Sequence, residues 1–564
     1  MRLSDLQDVL VSFETEKLEG CRVVYFNETL AEGKSPTDVL EAYSYIVRKD
    51  STLPNARSSI KTFMAERYGG DGILSNGGGG RCGFDGIWQL KGLGANQLVG
   101  NNVDTGHSDG NLSLETAVYE SIWSEIVNIA LPFGAIRTVA ILDTGCEYET
   151  LGTLTRRGLL VRQPVVRPAH FIRATYFQEK RLNGLSEDAQ RVKNAIFKLV
   201  DFLPNDRPPE EIRSKVNRLK IGLFELAARF AEQFAAAKAK HIIHYNVSAS
   251  NLSIDGAWLD LSSTRLFTEK IDIDKVDIDK FNTEHFPAVH CLQDMCYYLR
   301  KYSVISTELS TKLIEGATAH FAKVYDKQLR LYQVAQAGFP LWILRIITDS
   351  TPYATFSSDL RKLLERNDFA VNPISLESGW KGYERWTARL FSELLSSKIH
   401  NENPDLSWLN IDALAITKLV SSYNQLFNLA SIVASDYHIC LKNFYRSMLI
   451  NATRLNRSHR VLHDLKEKIE DITTNKKIAY QDLSDEAVSA AKLNLSTEKG
   501  RCIPFWMNRM LSIWFNPISG KLTLHQNNNK SLSTAFYIRD HQADINKALI
   551  FYGTAWSELN EKAV

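Results

Sequence analysis

The sequence predicts an α+β chain in two lobes with a largely α-helical C-terminal region. Three observations carry that expectation. Residues 61–180 mix glycine-rich turns, short apolar strands such as RTVAILDT, and one long amphipathic helix. Residues 185–242 read as helix, and a polar hairpin, 243–262, follows them. From about 286 onward the chain reads as helical, with Phe321, Tyr325 and Tyr332 at helical spacing. Four segments result: an N-terminal extension, 1–60, with a helix and the strand CRVVYF; an N-lobe-like region, 61–180; a C-lobe-like helical region, 181–375, carrying the hairpin; and a helical C-terminal region, 376–564. A chain of 564 residues suits two or three domains.

The hairpin is the most informative stretch. HYNVSASNLSIDGAWLD, residues 244–260, sets Asn251 nine residues before Asp260, and the carboxylate ends a short apolar strand. An amide and a carboxylate so placed can hold one Mg²⁺ against nucleotide phosphates, as the catalytic-loop Asn and the DFG Asp of protein kinases do. Here Leu261 and Ser262 follow Asp260, and no HRD precedes Asn251. Taken alone, such a pair is more often part of a solvated hairpin. His244 and His285 are expected to pack or face solvent rather than to ligate.

Upstream, GIWQLK forms a strand ending in Lys91. A lysine there neutralises phosphates when a carboxylate on a facing helix holds it. The next helix, LSLETAVYESIWSEIVNIAL, offers Glu120, with Glu125 competing. Its apolar face is Leu114, Val118, Ile122, Ile126 and Ile129, with Ser113 and Thr116 available as caps. A solvated face is the usual fate of such a glutamate. Before Lys91 lies GGDGILSNGGGGRCG, residues 69–83, holding eight of the thirty glycines. Glycines let backbone N–H groups approach phosphate closely, but this is neither a Walker A loop nor a clean GxGxxG.

In order, these motifs resemble the SelO (YdiU) family of protein AMP-transferases, which have a kinase-like fold. Gly70-Asp71-Gly72 is similar to the family's GDG turn, and QLKGLG (89–94) to its QLKGAG. Asp109-Gly110 resembles its DGR turn, with Asn111 in place of the arginine. YESIWSEIV (119–127) resembles REFLCSEAM, which implies Glu120 as the lysine's partner. GLLVRQP (158–164) and HFIR (170–173) resemble the segments that carry phosphate-contacting arginines, here Arg162 and Arg173. The hairpin resembles HGVMNTDNMSIxGxTID, which implies Asn251 and Asp260 as metal ligands. The resemblance covers roughly residues 60–365. It implies a two-lobed protein-kinase-like fold, ATP and Mg²⁺ as cofactors, catalytic Lys91 and Glu120, and a nucleotide site of Gly70, Gly72, Lys91, Asp109, Gly110, Arg162 and Arg173. It also implies that AMP, not the γ-phosphoryl group, is transferred.

Three departures matter. Ser250 stands where the family has its proposed base, Ile73 where it has an arginine, and VGNNVDTGHS lengthens the loop after Lys91. A hydroxyl acceptor profits from a base, whereas a carboxylate arrives deprotonated at neutral pH and needs only positioning and charge neutralisation. The expected function is therefore AMP transfer onto a carboxylate. A peptide C-terminus awaiting siderophore attachment, as in microcin maturation of the MchC type, is one such acceptor. The alternatives are AMPylation of Ser, Thr or Tyr, and a catalytically inactive nucleotide-binding scaffold.

Composition narrows the partners. A net charge of +2 gives no bulk argument for nucleic acid. No apolar stretch of membrane-spanning length without charges occurs, and MRLSDLQDVLVSF does not read as a signal peptide. Seven dispersed cysteines without CxxC suit a reducing cytoplasm; Cys82, in the glycine-rich loop, reads as an incidental thiol. The expected partners are a protein or peptide substrate and an accessory protein bound through the C-terminal helices. VLHDLKEKIEDITTNKK, with Leu462, Leu465, Ile469 and Ile472 in one stripe, is either core or such a docking helix. HQNNNKS reads as a polar turn.

Overall fold

The computed structural model describes residues 2–47, 56–101, 103, 108–150, 152–180, 184–185, 187–206, 214–267, 275–365, 371–373, 380–475, 479–497, 500–526, 542–553 and 556. The architecture is mixed α+β around one large antiparallel sheet. Its strands are β1 (Leu10–Leu18), β2 (Arg22–Phe26), β3 (Tyr45–Ile46), β4 (Ala56–Glu66), β5 (Cys82–Phe84), β6 (Gln89–Lys91), β7 (Thr138–Thr150) and β8 (Thr153–Arg162). They lie in the order β2-β7-β8-β6-β5-β4-β1-β3. The strand expected at 137–144 is the first half of β7. It reads as an unbroken apolar run because both faces are covered: Ile141 joins the core beneath the sheet, while Ala140 and Leu142 join a second cluster with Phe63, Trp88 and Val161. Residues 1–60 supply β1, β2, β3 and the helix α1 (Pro36–Tyr43), so three strands of this sheet come from the expected extension.

Helix α2 (Leu114–Ala130) lies under the sheet. Ser113 caps it, its hydroxyl accepting from the Thr116 N–H at 3.1 Å. Leu114, Val118, Ile122 and Ile126 are buried as the periodicity predicts, but so are Glu120 and Glu125. Glu120 is enclosed by Lys91 and Arg162 from the sheet and Glu125 by Arg137 and Asn27, and a second layer covers the helix. Helices α3 (Leu465–Asn475) and α4 (Tyr480–Asn494) pack against α2 from the C-terminal region. The stripe Leu465, Ile469 and Ile472 is thereby core, and Leu462 is buried beside it.

Between these parts run long helices, among them Lys215–Ala239, Phe286–Lys301 and Thr307–Gln336. The aromatic spacing of the last serves packing: Phe321 and Tyr332 are buried, and His285 stacks on Tyr325 at 4.4 Å between ring centroids. The C-terminal region, expected to be largely helical, also carries strands. Two three-stranded sheets occur there, β11 (Val371–Pro373)–β12 (Gly382–Arg385)–β13 (Arg457–His459) and β14 (Ile503–Met507)–β15 (Leu511–Asn516)–β16 (Lys521–Gln526). A small pair, β9 (Ile242–Ile243) and β10 (Arg265–Leu266), brackets the hairpin. IPFWM and LSIWFN are rich in aromatic and β-branched residues, and the Asn508 side chain accepts from the N–H groups of Met510 and Leu511 at 2.8 Å to close their turn. Most of HQNNNKS lies outside the described residues. No helix among the described residues is long and apolar enough to cross a membrane.

Candidate functional site

Strand β6 delivers Lys91 to the inner face of the sheet, and α2 raises Glu120 to meet it. Lys91 Nζ lies 2.7 Å from Glu120 Oε2 and 2.6 Å from Asp260 Oδ1. Arg162, at the end of β8, reaches the same two carboxylates, 3.2 Å from Glu120 and 2.9 Å from Asp260. The competing Glu125 faces the other way. It holds Arg137 at 2.7 Å and accepts from Asn27 Nδ2 at 3.1 Å.

Asp260 arrives by the expected hairpin. The Leu259 N–H donates to the Asn251 carbonyl at 3.1 Å, and Leu252 bridges to Trp258. His244 is packed beneath, 3.0 Å from the Leu259 carbonyl, and burial pulls it down to about 4. Asp260 itself adopts a left-handed φ of 59°, a conformation a non-glycine residue keeps only where its surroundings impose it. Burial alone would raise its carboxyl, but Arg162, Lys91 and Arg167 override that and hold it well below the usual carboxylate range.

Arg167 is the residue that sequence reasoning missed. Its Nη1 donates to the Ser250 carbonyl at 2.6 Å and to Asp260 Oδ2 at 3.3 Å, and its guanidinium lies 4.8 Å from the Tyr68 ring centroid. A wall of polar groups from other strands fixes the two arginines. Gln89 accepts from Arg162 Nε and donates to Glu66. Glu66 also takes the His170 ring at 3.1 Å. Because His170 Nδ1 accepts the Arg167 N–H at 3.1 Å, Nε2 is the nitrogen that carries hydrogen. Burial keeps that imidazole neutral in tendency, while His170 and Arg167 outweigh burial at Glu66 and lower it. The available signal was the apolar stretch VVRPAHF, in which an arginine has no reason to sit unless paired.

The remaining expected residues fall around this cluster. Gly70 opens the GDG turn with φ 89°, and Gly72 lies so close to the 248–250 segment that a Cβ there would stand 2.2 Å from Ser248 Oγ. The turn is therefore seated on the hairpin. Arg173 is not joined to the cluster: its Nε points to Asp188 at 3.4 Å, although its carbonyl accepts from the Gly70 N–H at 3.2 Å. Asp109 closes its own turn on the Asn111 N–H at 2.9 Å, and Gly110, φ 70°, backs onto Gly94. No contact carries Asp109 or Gly110 to Lys91. Cys82 pairs opposite Lys91 in the sheet, buried, with burial pushing its thiol up. All seven cysteines are free.

The donor chemistry can be tested against Mg²⁺ and ATP. Among the described residues no group of three or more His, Cys, Asp or Glu side chains could hold a metal. Asn251 has its Nδ2 committed to the Asn246 carbonyl at 2.7 Å, and its Oδ1 receives only the Ser250 hydroxyl at 3.4 Å. Two oxygen donors do not make a standalone site. They suit Mg²⁺ that takes its other ligands from phosphates and water. Arg162 Nη2, Arg167 Nε and Arg167 Nη2 are buried donors with no acceptor. Buried polar groups are normally satisfied, and anionic oxygens would satisfy these three. No protein-family model and no curated protein matches the chain.

Proposed function

We propose that the chain is an ATP- and Mg²⁺-dependent AMP-transferase with a two-lobed, kinase-like site, acting on a carboxylate acceptor. The observation that carries this reading is the meeting of Lys91, Glu120, Arg162, Arg167 and Asp260 in one cluster with three unsatisfied guanidinium nitrogens. Glu120 orients Lys91. Lys91, Arg162 and Arg167 neutralise phosphate charge. Asp260 and Asn251 would hold Mg²⁺, which supplies further charge neutralisation on the nucleotide.

Asp260 is the anion shared by the three cations. A Mg²⁺–nucleotide complex brings a cation for Asp260 and anions for Lys91 and the arginines, so the exchange leaves every charge paired. Mg²⁺ alone offers nothing to the freed cations. In the proposed reaction a carboxylate oxygen attacks the α-phosphorus, the bond to pyrophosphate breaks, and an acyl-adenylate forms. Ser250 bonds the Ser248 hydroxyl at 2.8 Å and is no base at neutral pH, which suits an acceptor already deprotonated.

The test follows what leaves ATP. Chromatography of reactions with α-labelled and γ-labelled ATP should show pyrophosphate and an AMP adduct or AMP. ADP as the sole product would mean γ-phosphoryl transfer and refute the reading.

A further inference from the structure

A cavity of ≈ 340 Å³ lies among the helices, walled by described residues from seven elements and containing none of the cluster around Asp260. Its size is that of a small-molecule site. Helix Trp386–His400 points its N-terminus at it, with Arg385 as N-cap and no side-chain cap bond. That position normally holds Ser, Thr, Asp or Asn, and the helix dipole disfavours a cation there. Arg385 donates to the Lys240 carbonyl at 2.8 Å, and burial brings it down to about 10.

Two further cations share the cavity. Lys238 Nζ donates to Asn282 Oδ1 at 3.0 Å. Arg361 is bound to Glu365 at 2.7 Å and to Asp326. Neither Lys238 nor Arg385 is paired with a carboxylate among the described residues. The only carboxylate on the described wall, Glu365, is committed to Arg361. Gln336 is a neutral part of the wall. It is 7% exposed and lines the same cavity, although its Oε1 is itself turned away from the open space. Phe281, Trp386 and Phe391 make up an aromatic part of the wall.

From these features we infer that the cavity binds a small organic anion. Its carboxylate or phosphate lies at Arg385, Lys238 and the helix N-terminus. Its apolar body lies along the aromatic wall. The site is distinct from the Asp260 cluster and does not depend on AMP transfer.

Isothermal titration of the full chain with phenyl phosphate and with p-hydroxybenzoate tests this, with neutral p-hydroxybenzamide as control. At least one of the two anions should bind saturably, one per chain, and the one that binds tells phosphate from carboxylate. Arg385→Gln should weaken that binding about tenfold or more, since a charge-assisted contact is lost. Ala239→Leu, which fills the cavity without touching charge, should weaken it too, while Lys91→Met should leave it unchanged. Absence of saturable binding by both anions, equal binding of the amide, or a loss in Lys91→Met with none in Arg385→Gln would overturn the inference.

Discussion

Replacing Asp260 by asparagine keeps the shape of the cluster and removes its central charge. In the native protein three cationic donors reach that carboxylate: Lys91 at 2.6 Å, Arg162 at 2.9 Å and Arg167 at 3.3 Å. Glu66 and Glu120 remain, so a neutral cluster acquires one excess positive charge in a nearly dry setting. The three cations are at most 4% exposed. Removing one side of a buried ion pair costs about 3–5 kcal/mol. The Asp260 side chain is itself 22% exposed, and water screens what it reaches, so about 3 kcal/mol is expected. The assay is denaturant unfolding, read at its first transition, with and without pyrophosphate and without Mg²⁺. Asp260→Asn should unfold earlier than the parent, and pyrophosphate should restore part of the difference by supplying the missing anion. An unchanged midpoint in Asp260→Asn would show that the carboxylate does not hold the three cations, and the charge-exchange account would fall.

Arg167→Met should reduce both the stabilisation by Mg²⁺–ATP and turnover, whereas Arg173→Met, whose side chain turns to Asp188, should leave the melting shift nearly intact; equal losses would refute the placement of Arg167. Ser250→Ala should slow turnover of the true acceptor by less than about tenfold, against the ~10² to 10⁴ of a lost general base, and Ser250→Asp should slow it further by repelling a carboxylate. Melting temperature should fall as pH drops from 6.5 towards 4. Burial brings His244, His285 and His459 each down to about 4, so the unfolded chain takes up their protons first; stability is full above 6.5 and is lost across this window. Glu284, pushed up to about 8 by burial, opposes this with one proton against three, so a flat melting profile from 6.5 to 4.5 would contradict the assignment.

Much of the cluster could be read in the sequence because its parts lie at element ends. Lys91 closes a strand, Glu120 sits one helix later, and Asn251 and Asp260 share a hairpin. What could not be read depends on strand order. Glu66, Gln89, Arg162 and Arg167 become neighbours because β4, β5, β6 and β8 stand side by side, and nothing local encodes that order. The burial of Glu120 was hidden for a related reason: its partners Lys91 and Arg162 arrive on β6 and β8, which the helix sequence does not encode. The C-terminal strands were legible in IPFWM and LSIWFN, but helical periodicity in the neighbouring segments masked them. Arg173 shows the limit of motif transfer, since its matching position did not bring its side chain to the cluster.

The most direct measurement supplies two acceptor peptides, one with a free C-terminus and one amidated, together with α-labelled ATP, Mg²⁺ and hydroxylamine. Carboxylate adenylation predicts pyrophosphate release and a hydroxamate from the free acid only, both abolished in Lys91→Met and Asp260→Ala. Equal, hydroxylamine-stable AMP incorporation into both peptides, mapped to a side-chain hydroxyl, would contradict it.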